Sequence, residues 1–264
     1  MFGALNATIH HSSTGWSPVY ITQNLSIIST SFLLPDHDAA VVWRGPRKNG
    51  LIRQFVTDVD WGELDYLLVD TPPGTSDEHI SIIQYLREGD ANVNSAADKP
   101  NGISGAIVVT TPEEMSMADV RKELNFCQKT NCPILGVVEN MGSLESDVSS
   151  FTFNNGETDI TSEVHSMLDV KYGKEVAEKI TASCDVFPPP SKISGPMKMC
   201  QDYKIPHLGS LPLDPLLLKC CENGVSYMET VKGLSGGVVG SKAGKVLNTF
   251  VDGVVELCPP STIV

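Results

Sequence analysis

The chain has 264 residues, 41% hydrophobic and 19% charged, the make-up of a globular protein long enough for one large α/β domain with its own core. A net charge of −13 argues against nucleic acid or an anionic membrane as main partner, because both attract basic surfaces; a nucleotide, held by local groups, stays open. No apolar run is long enough to span a bilayer and no leader precedes a cleavage site, so the seven cysteines read as free thiols, metal ligands or core residues of a cytoplasmic protein.

Short apolar runs alternate with helical patterns. NLSIIST (Asn24 to Thr30) and DYLLVD (Asp65 to Asp70) read as strands. SDEHISIIQYLRE reads as a helix with Ser76 as N-cap and two acids in its first turn. GAIVVTT (Gly105 to Thr111) and CPILGVVEN (Cys132 to Asn140) read as strands around a helix that begins at Pro112 and runs through QK. Continuous apolarity over so few residues suits strands buried on both faces, as in a parallel sheet. Residues 142–159 lack periodicity and read as an exposed insertion. A helix is predicted over Thr161 to Ile180, then a Pro-rich turn from Cys184. The order resumes with a helix over Pro196 to Tyr203, a strand HLGSLPLD and a helix PLLLKCCENG that stops at Gly224. A glycine cluster and a helix-length apolar stripe close the chain; its GSKAGK lacks both the spacing and the preceding strand of a phosphate loop. The organisation expected is one domain over 1–231, with an insertion at about 142–183, and a tail helix in 232–264. The fold class expected is α/β, a doubly wound and mostly parallel sheet.

Chemistry concentrates at strand ends. Ligands of open α/β sheets bind outside the carboxyl ends of the strands. Asp70 stands at such an end, where an acid can hold Mg²⁺ through water. The following Thr71-Pro72-Pro73-Gly74 turn is stiffened by its prolines, and Gly74 brings a backbone N–H close to a phosphate. The plainer reading is that Asp70 begins a turn and caps the next helix. His79 reads as a solvated helix residue, and Cys127, Cys132, Cys200, Cys220 and Cys221 as buried free thiols. No Gly-x-Ser-x-Gly elbow is present.

DYLLVDTPPGTSDEHISIIQYL closely resembles the switch II segment of the Mrp-type P-loop ATPases, in the branch of nucleotide-binding scaffolds for cytosolic iron–sulfur cluster assembly. The likeness extends through GWSPVYITQNLSIISTSFLLPDHDAAVVWRGPRKNGLIRQFVTDVDWGELDYLLVD, GAIVVTTPEEMSMADVRKEL, CPILGVVENM and MKMCQDYKIPHLGSLPLDPLLLKCCENG, most of residues 14–141 and 196–224. The resemblance implies a P-loop NTPase-like sheet around ATP and Mg²⁺. It makes Asp70 the Walker-B acid and Gly74, beside Pro73, the γ-phosphate sensor. Asn140 becomes the adenine-contacting amide, a job that suits a group able to donate and accept. Pro212 and Asp214 match the loop that covers the base. Trp43 and Arg44 match a signature whose role the residues do not reveal. The family further implies a [4Fe-4S] cluster, a homodimer or a heterodimer with a related ATPase, and apoprotein recipients of clusters.

Two departures from the family pattern stand out. No Gly- and Lys-rich phosphate loop or first strand is present, and the chain reads as N-terminally truncated, binding ATP poorly and not hydrolysing it. Neighbours of the missing strand are expected to carry unpaired edges. The family's C-x-x-C pair after VVENM is also absent, although a bridging cluster needs four thiolates, two per protomer. Cys184 is the nearest later cysteine and the candidate ligand. The expected function is an ATP-dependent scaffold for assembly and transfer of [4Fe-4S] clusters to cytosolic and nuclear apoproteins. The alternatives are a non-catalytic paralogue acting as a dimerisation partner, and a partitioning ATPase of the MinD/ParA kind.

Overall fold

The computed structural model describes residues 2–4, 7–13, 15–34, 45–91, 102–187, 195–234 and 242–260. Its centre is a sheet of β5 (Ala106–Thr110), β6 (Ile134–Asp147) and β10 (His207–Leu213), with β6 in the middle and both neighbours parallel to it. The connections carry helices, as parallel pairing demands: α3 (Glu114–Lys129) joins β5 to β6, and α6 (Pro196–Tyr203) precedes β10. This is the α/β architecture expected.

Strand alternation sorts the two faces. Val108 and Val137 are paired in register and turn one way, against Met117, Val120 and Leu124 of α3 and Met199 and Cys200 of α6. This is the main core. Leu124 and Val137 are completely buried. Val109, Val138 and Asn140 turn the other way, towards α9 (Lys242–Leu257), the amphipathic tail helix. A second core joins α9 to α7 (Pro215–Asn223) and α8 (Tyr227–Leu234) through Ala243, Cys220, Tyr227 and Val231. Gly136 lets β6 approach β10: a Cβ there would lie 2.8 Å from the Pro206 carbonyl oxygen.

The remaining elements surround this frame. β1 (His10–His11) pairs with β2 (Trp16–Ser17), and β3 (Val19–Thr22) with β4 (Leu25–Ile27), as small antiparallel hairpins. α1 (Gly45–Thr57) packs on α2 (Asp77–Ala91), where Lys48 meets Glu78 at 3.0 Å. The insertion holds the two-residue strands β7 (Asn154–Asn155) and β8 (Thr158–Asp159), helices α4 (Thr161–Tyr172) and α5 (Lys174–Ala177), and β9 (Thr181–Asp185).

Several expectations need correction. DYLLVD is not a strand among the described residues. Leu64, Tyr66, Leu67 and Val69 are about two-fifths exposed, and Leu68 is 84% exposed. No backbone–backbone hydrogen bond involves residues 63–73 among the described residues. The apolar run has strand composition, but no strand pairs with it among the described residues. NLSIIST is not a core strand either: Leu25–Ile27 forms half of a surface hairpin and a 3₁₀ turn takes over at Thr30. β6 does not stop at Asn140. It bulges at Met141, in the left-handed region at φ 58°, and its outer half pairs antiparallel with β9. Residues 142–147 are therefore strand, not irregular insertion. The predicted helix over Thr161 to Ile180 breaks at Gly173, φ 80°. Pro112 precedes the N-cap Glu113 and is not the first helical residue. Trp43, Arg44, much of the Pro-rich turn and the glycine cluster lie outside the described residues.

Candidate functional site

The carboxyl ends of β5, β6 and β10 share one rim. Asn140 sits on β6 in register with Leu211 of β10, just before the regular parallel pairing is interrupted. Between Leu211 and Leu213 the register shifts, because the Met141 bulge adds residues to β6 there. A bulge of this kind re-aims side chains beside a site. Asn140 is the one polar side chain lining a cavity of about 170 Å³, whose walls include Val109, Val138, Leu211, Val246 and Phe250. An apolar slot with one amide suits a flat base that needs both a donor and an acceptor.

Pro212 is buried beside this slot. Asp214 serves the fold directly. It is the N-cap of α7, and its Oδ1 accepts from the Leu216 and Leu217 amides at 2.8 and 3.4 Å. Tyr227 donates its hydroxyl to Oδ2 at 2.5 Å. Both carboxylate oxygens are thus engaged.

The acid and the turn lie elsewhere. Asp70 and Pro73 are exposed. Among the described residues, no hydrogen bond, ion pair or common cavity links Asp70 to Asn140. Gly74 is held at φ 84°, and its N–H donates to Oε1 of Glu123, in the middle of α3, at 3.1 Å. A carboxylate therefore occupies the amide that sequence reasoning reserved for a phosphate. Burial pushes the Glu123 carboxyl above its usual range, opposed by the Gly74 bond and by His79. His79 is half-buried, not solvated. Its ring packs edge-on against Phe126, and its Nδ1 accepts from the Ser76 amide at 3.1 Å. Glu78, at the start of α2, is drawn down to about 2 by the Ser76 hydroxyl, its own helix-end amide and Lys48.

On the opposite face from Asn140, Glu139 accepts from Ser210 Oγ at 2.7 Å and lies 3.5 Å from His207 Nε2. His207, then Ser210, hold this carboxyl below its usual range against the cost of burial. Sequence reasoning missed Glu123, Glu139 and His207. Glu139 left a signal, a charge inside the buried run VVEN; Glu123, one polar residue on a helix, left none.

Cys184 lies on β9 opposite Leu144 and is the only exposed cysteine of the seven. Cys127, Cys132, Cys200 and Cys220 are buried, as expected, and Cys221 is half-buried. No group of three or more His, Cys, Asp or Glu gathers as a metal site among the described residues. No described helix is long and apolar enough to cross a membrane.

Residues 1–185 match the family described as "ParA: NUBPL iron-transfer P-loop NTPase". The cytosolic Fe-S cluster assembly factor Nubp1 homolog of Drosophila ananassae is 40% identical over 250 residues, which cover 95% of this chain and 67% of that protein. A nucleotide-binding protein from Archaeoglobus fulgidus, solved with ADP, is 29% identical with a TM-score of 0.50; the match covers 84% of this chain and 67% of that one. The cell division ATPase MinD of Pyrococcus furiosus is 18% identical with a TM-score of 0.42, over 80% of this chain and 59% of its own.

Proposed function

The chain belongs to the ParA-type family of NUBPL iron-transfer P-loop NTPases, and from that membership we propose that it is an ATP-dependent scaffold on which [4Fe-4S] clusters are assembled and passed to cytosolic and nuclear apoproteins. The observation that carries this reading is the 40% identity, over 95% of the chain, to a relative named as a cytosolic assembly factor. The apolar slot with its single amide agrees with it. Asn140 would read the edge of the purine, and the Pro212–Asp214 loop would cover it. Asp70 would hold Mg²⁺ through water, and the Gly74 amide would address the terminal phosphate once Glu123 releases it. Bound ATP would bring a purine to the slot and a terminal phosphate to the turn. Asn140 suits the base, but Asp70 lies exposed and apart from it, and the 264 residues contain no Gly-x-x-x-x-Gly-Lys followed by Ser or Thr, so no hydrolytic step is assigned. Residues 1–231 would form the nucleotide domain and the tail helix its lid on the slot.

The cluster is cargo and needs four thiolates. Cys184 of two protomers would give two of them. Anaerobic reconstitution with iron and sulfide tests the reading. The expected result is a brown protein with thiolate-to-iron absorption that is lost in Cys184→Ala, and cluster transfer to an apoprotein that responds to ATP and Mg²⁺. A parent chain that stays colourless overturns it. The contact between Glu123 and Gly74 favours a second reading, a non-catalytic partner that dimerises with an intact related ATPase. Mg²⁺-dependent phosphate release by the purified chain would eliminate that one.

A further inference from the structure

Three helices end in the same way. In each, a residue in the left-handed region closes a Schellman motif, in which the next residue's amide bonds back to the carbonyl five positions earlier. The closing residues are Asn131 (φ 52°) after α3, Lys204 (φ 56°) after α6 and Gly224 (φ 65°) after α7. The long bonds run from Cys132 to Cys127, from Ile205 to Cys200 and from Val225 to Cys220, at 2.8, 3.0 and 3.0 Å. The motif presses the two bonded residues' side chains together. Two of the three pairs are a cysteine against a branched aliphatic residue, an ordinary apolar contact. After α3 it is a thiol against a thiol.

The backbone geometry already meets the main requirement of a covalent bridge. The path from one Cα through the carbonyl and the 2.8 Å hydrogen bond to the other Cα is at most about 7 Å even if straight, and bends at the carbonyl make it shorter. Disulfides span Cα separations up to about 7 Å. The same motif sets the two thiols side by side, and Cys132 Sγ also lies 3.8 Å from the Pro133 carbonyl oxygen. Both residues are buried. Arg87 of α2 reaches over the same turn and donates to the Thr130 and Asn131 carbonyls at 2.6 and 3.2 Å, while its buried Nε has no hydrogen-bond partner. An anionic sulfur beside this guanidinium compensates that orphaned donor electrostatically. The Cys132 thiol is accordingly drawn down to about 7, by the Cys127 hydrogen bond first and Arg87 after it, against burial. The Cys127 thiol is pushed up by the same bond and by burial. A thiol drawn down at Cys132 beside one pushed up at Cys127 is the division of roles that thiol–disulfide exchange uses. A resident metal suits the place less well, since no third His, Cys, Asp or Glu ligand gathers with the two sulfurs among the described residues and structural zinc takes four.

We propose that Cys127 and Cys132 form a redox-active dithiol that closes reversibly to an intramolecular disulfide by exchange with a low-molecular-weight disulfide. Cys132 thiolate attacks one sulfur of the small disulfide and expels its other half as a thiolate. Cys127 gives up its proton to that leaving thiolate, attacks the Cys132 sulfur and expels the second half. Two protein thiols are oxidised to one S–S bond, and one small disulfide is reduced to two thiols. Fraying of the last turn of α3 admits the reactant.

The test uses the whole folded chain equilibrated in buffers of reduced and oxidised glutathione. Acid quenching, alkylation and tryptic peptide mapping without reductant follow. Trypsin cuts after Lys129, between the two cysteines, so the bridge appears as two linked peptides, one holding Cys127 and the other beginning at Thr130. The expected result is loss of alkylation at both positions together, with the linked pair the main cross-linked species; it reverses in excess reduced glutathione and persists in Cys184→Ala. Cys132→Ser abolishes the pair and leaves Cys127 alkylated. The proposal is overturned if both cysteines of the parent remain separately alkylated in the oxidised buffers, if they stop at glutathione adducts, or if the dominant bridge joins other cysteines. These outcomes are read without iron or nucleotide, so they stand apart from the scaffold reading.

Discussion

Replacing Leu68 by alanine should leave the stability of the chain almost unchanged. The side chain is 84% exposed, and full burial of a leucine gains about 1.5–3 kcal/mol, so the buried remainder is worth about 0.2–0.5 kcal/mol. Leu124 provides the contrast. It is 0% exposed, packed among Met117, Val137 and Met199, and leucine-to-alanine at such closed sites costs about 2–5 kcal/mol. Urea or thermal unfolding of both variants beside the parent, at one protein concentration, reads the difference. In a chain of this size each kcal/mol moves the midpoint by about 2–4 °C, so Leu124→Ala should fall by about 4–20 °C and Leu68→Ala by under about 2 °C. A loss above about 2 kcal/mol for Leu68→Ala would mean that residues 63–73 are packed as a strand, and the reasoning from their exposure fails.

Asp214→Ala removes the acceptor for two helix-end amides and for Tyr227, and should cost about 1–2 kcal/mol in thermal unfolding whether or not nucleotide is present. An effect confined to nucleotide-bound protein would contradict the capping role. Gly74→Ala meets no atom within 4 Å, so its cost is purely that of the backbone at φ 84°, about 1 kcal/mol; a neutral result would mean that the turn relaxes freely. Glu139 is held below its usual range by His207 and Ser210, so its contribution is present above the ordinary value of 4.5 and lost as pH falls through the depressed one. Glu139→Gln should therefore flatten the fall of stability below about pH 4.5, seen in urea titrations across that range, while a parallel curve would refute the assignment.

What the sequence revealed depended on how local the determining physics is. The helix Pro196–Tyr203 was legible to the residue, because proline can occupy its first position without losing a needed bond. The stop at Gly224 was legible for the same kind of reason: a glycine takes the left-handed conformation there at no steric cost. β5 and the inner half of β6 were legible because their runs are short and largely apolar. DYLLVD has the same local pattern and a different outcome, since pairing is a property of the neighbour and not of the run. The outer half of β6 fails in the opposite sense. Residues 142–147 are polar, yet they are strand because β9 arrives forty residues later to pair with them. The helix start at Glu114 shifted two residues past the expected Pro112, the usual scale of uncertainty at a boundary. Asn140 was singled out through family resemblance, and its place in an apolar slot gives that choice a physical content the letters alone lacked. Glu123 was invisible because its partner, the Gly74 amide, is 49 residues away in sequence.

The two halves of the candidate site differ because of how each is held. Asn140 and Pro212 inherit their positions from paired strands, Asn140 opposite Leu211 and Pro212 at the register shift just beyond it. Asp70 belongs to a segment with two recorded tethers, Tyr66 Oη to the Cys258 carbonyl at 2.7 Å and the Gly74 amide to Glu123. Neither fixes the aspartate. β5 meanwhile pairs on one side only among the described residues, and Val109 on it is 56% exposed. An exposed strand edge and an exposed apolar run are both costly in water, and each can supply what the other lacks only through backbone pairing. The Glu123 contact works in the same direction. It satisfies the turn's amide with a partly buried carboxylate whose charge burial disfavours. Bringing Asp70 to the rim therefore requires strand pairing over residues 63–73 and release of Gly74 by Glu123, with no change needed at Asn140, whose slot is already formed.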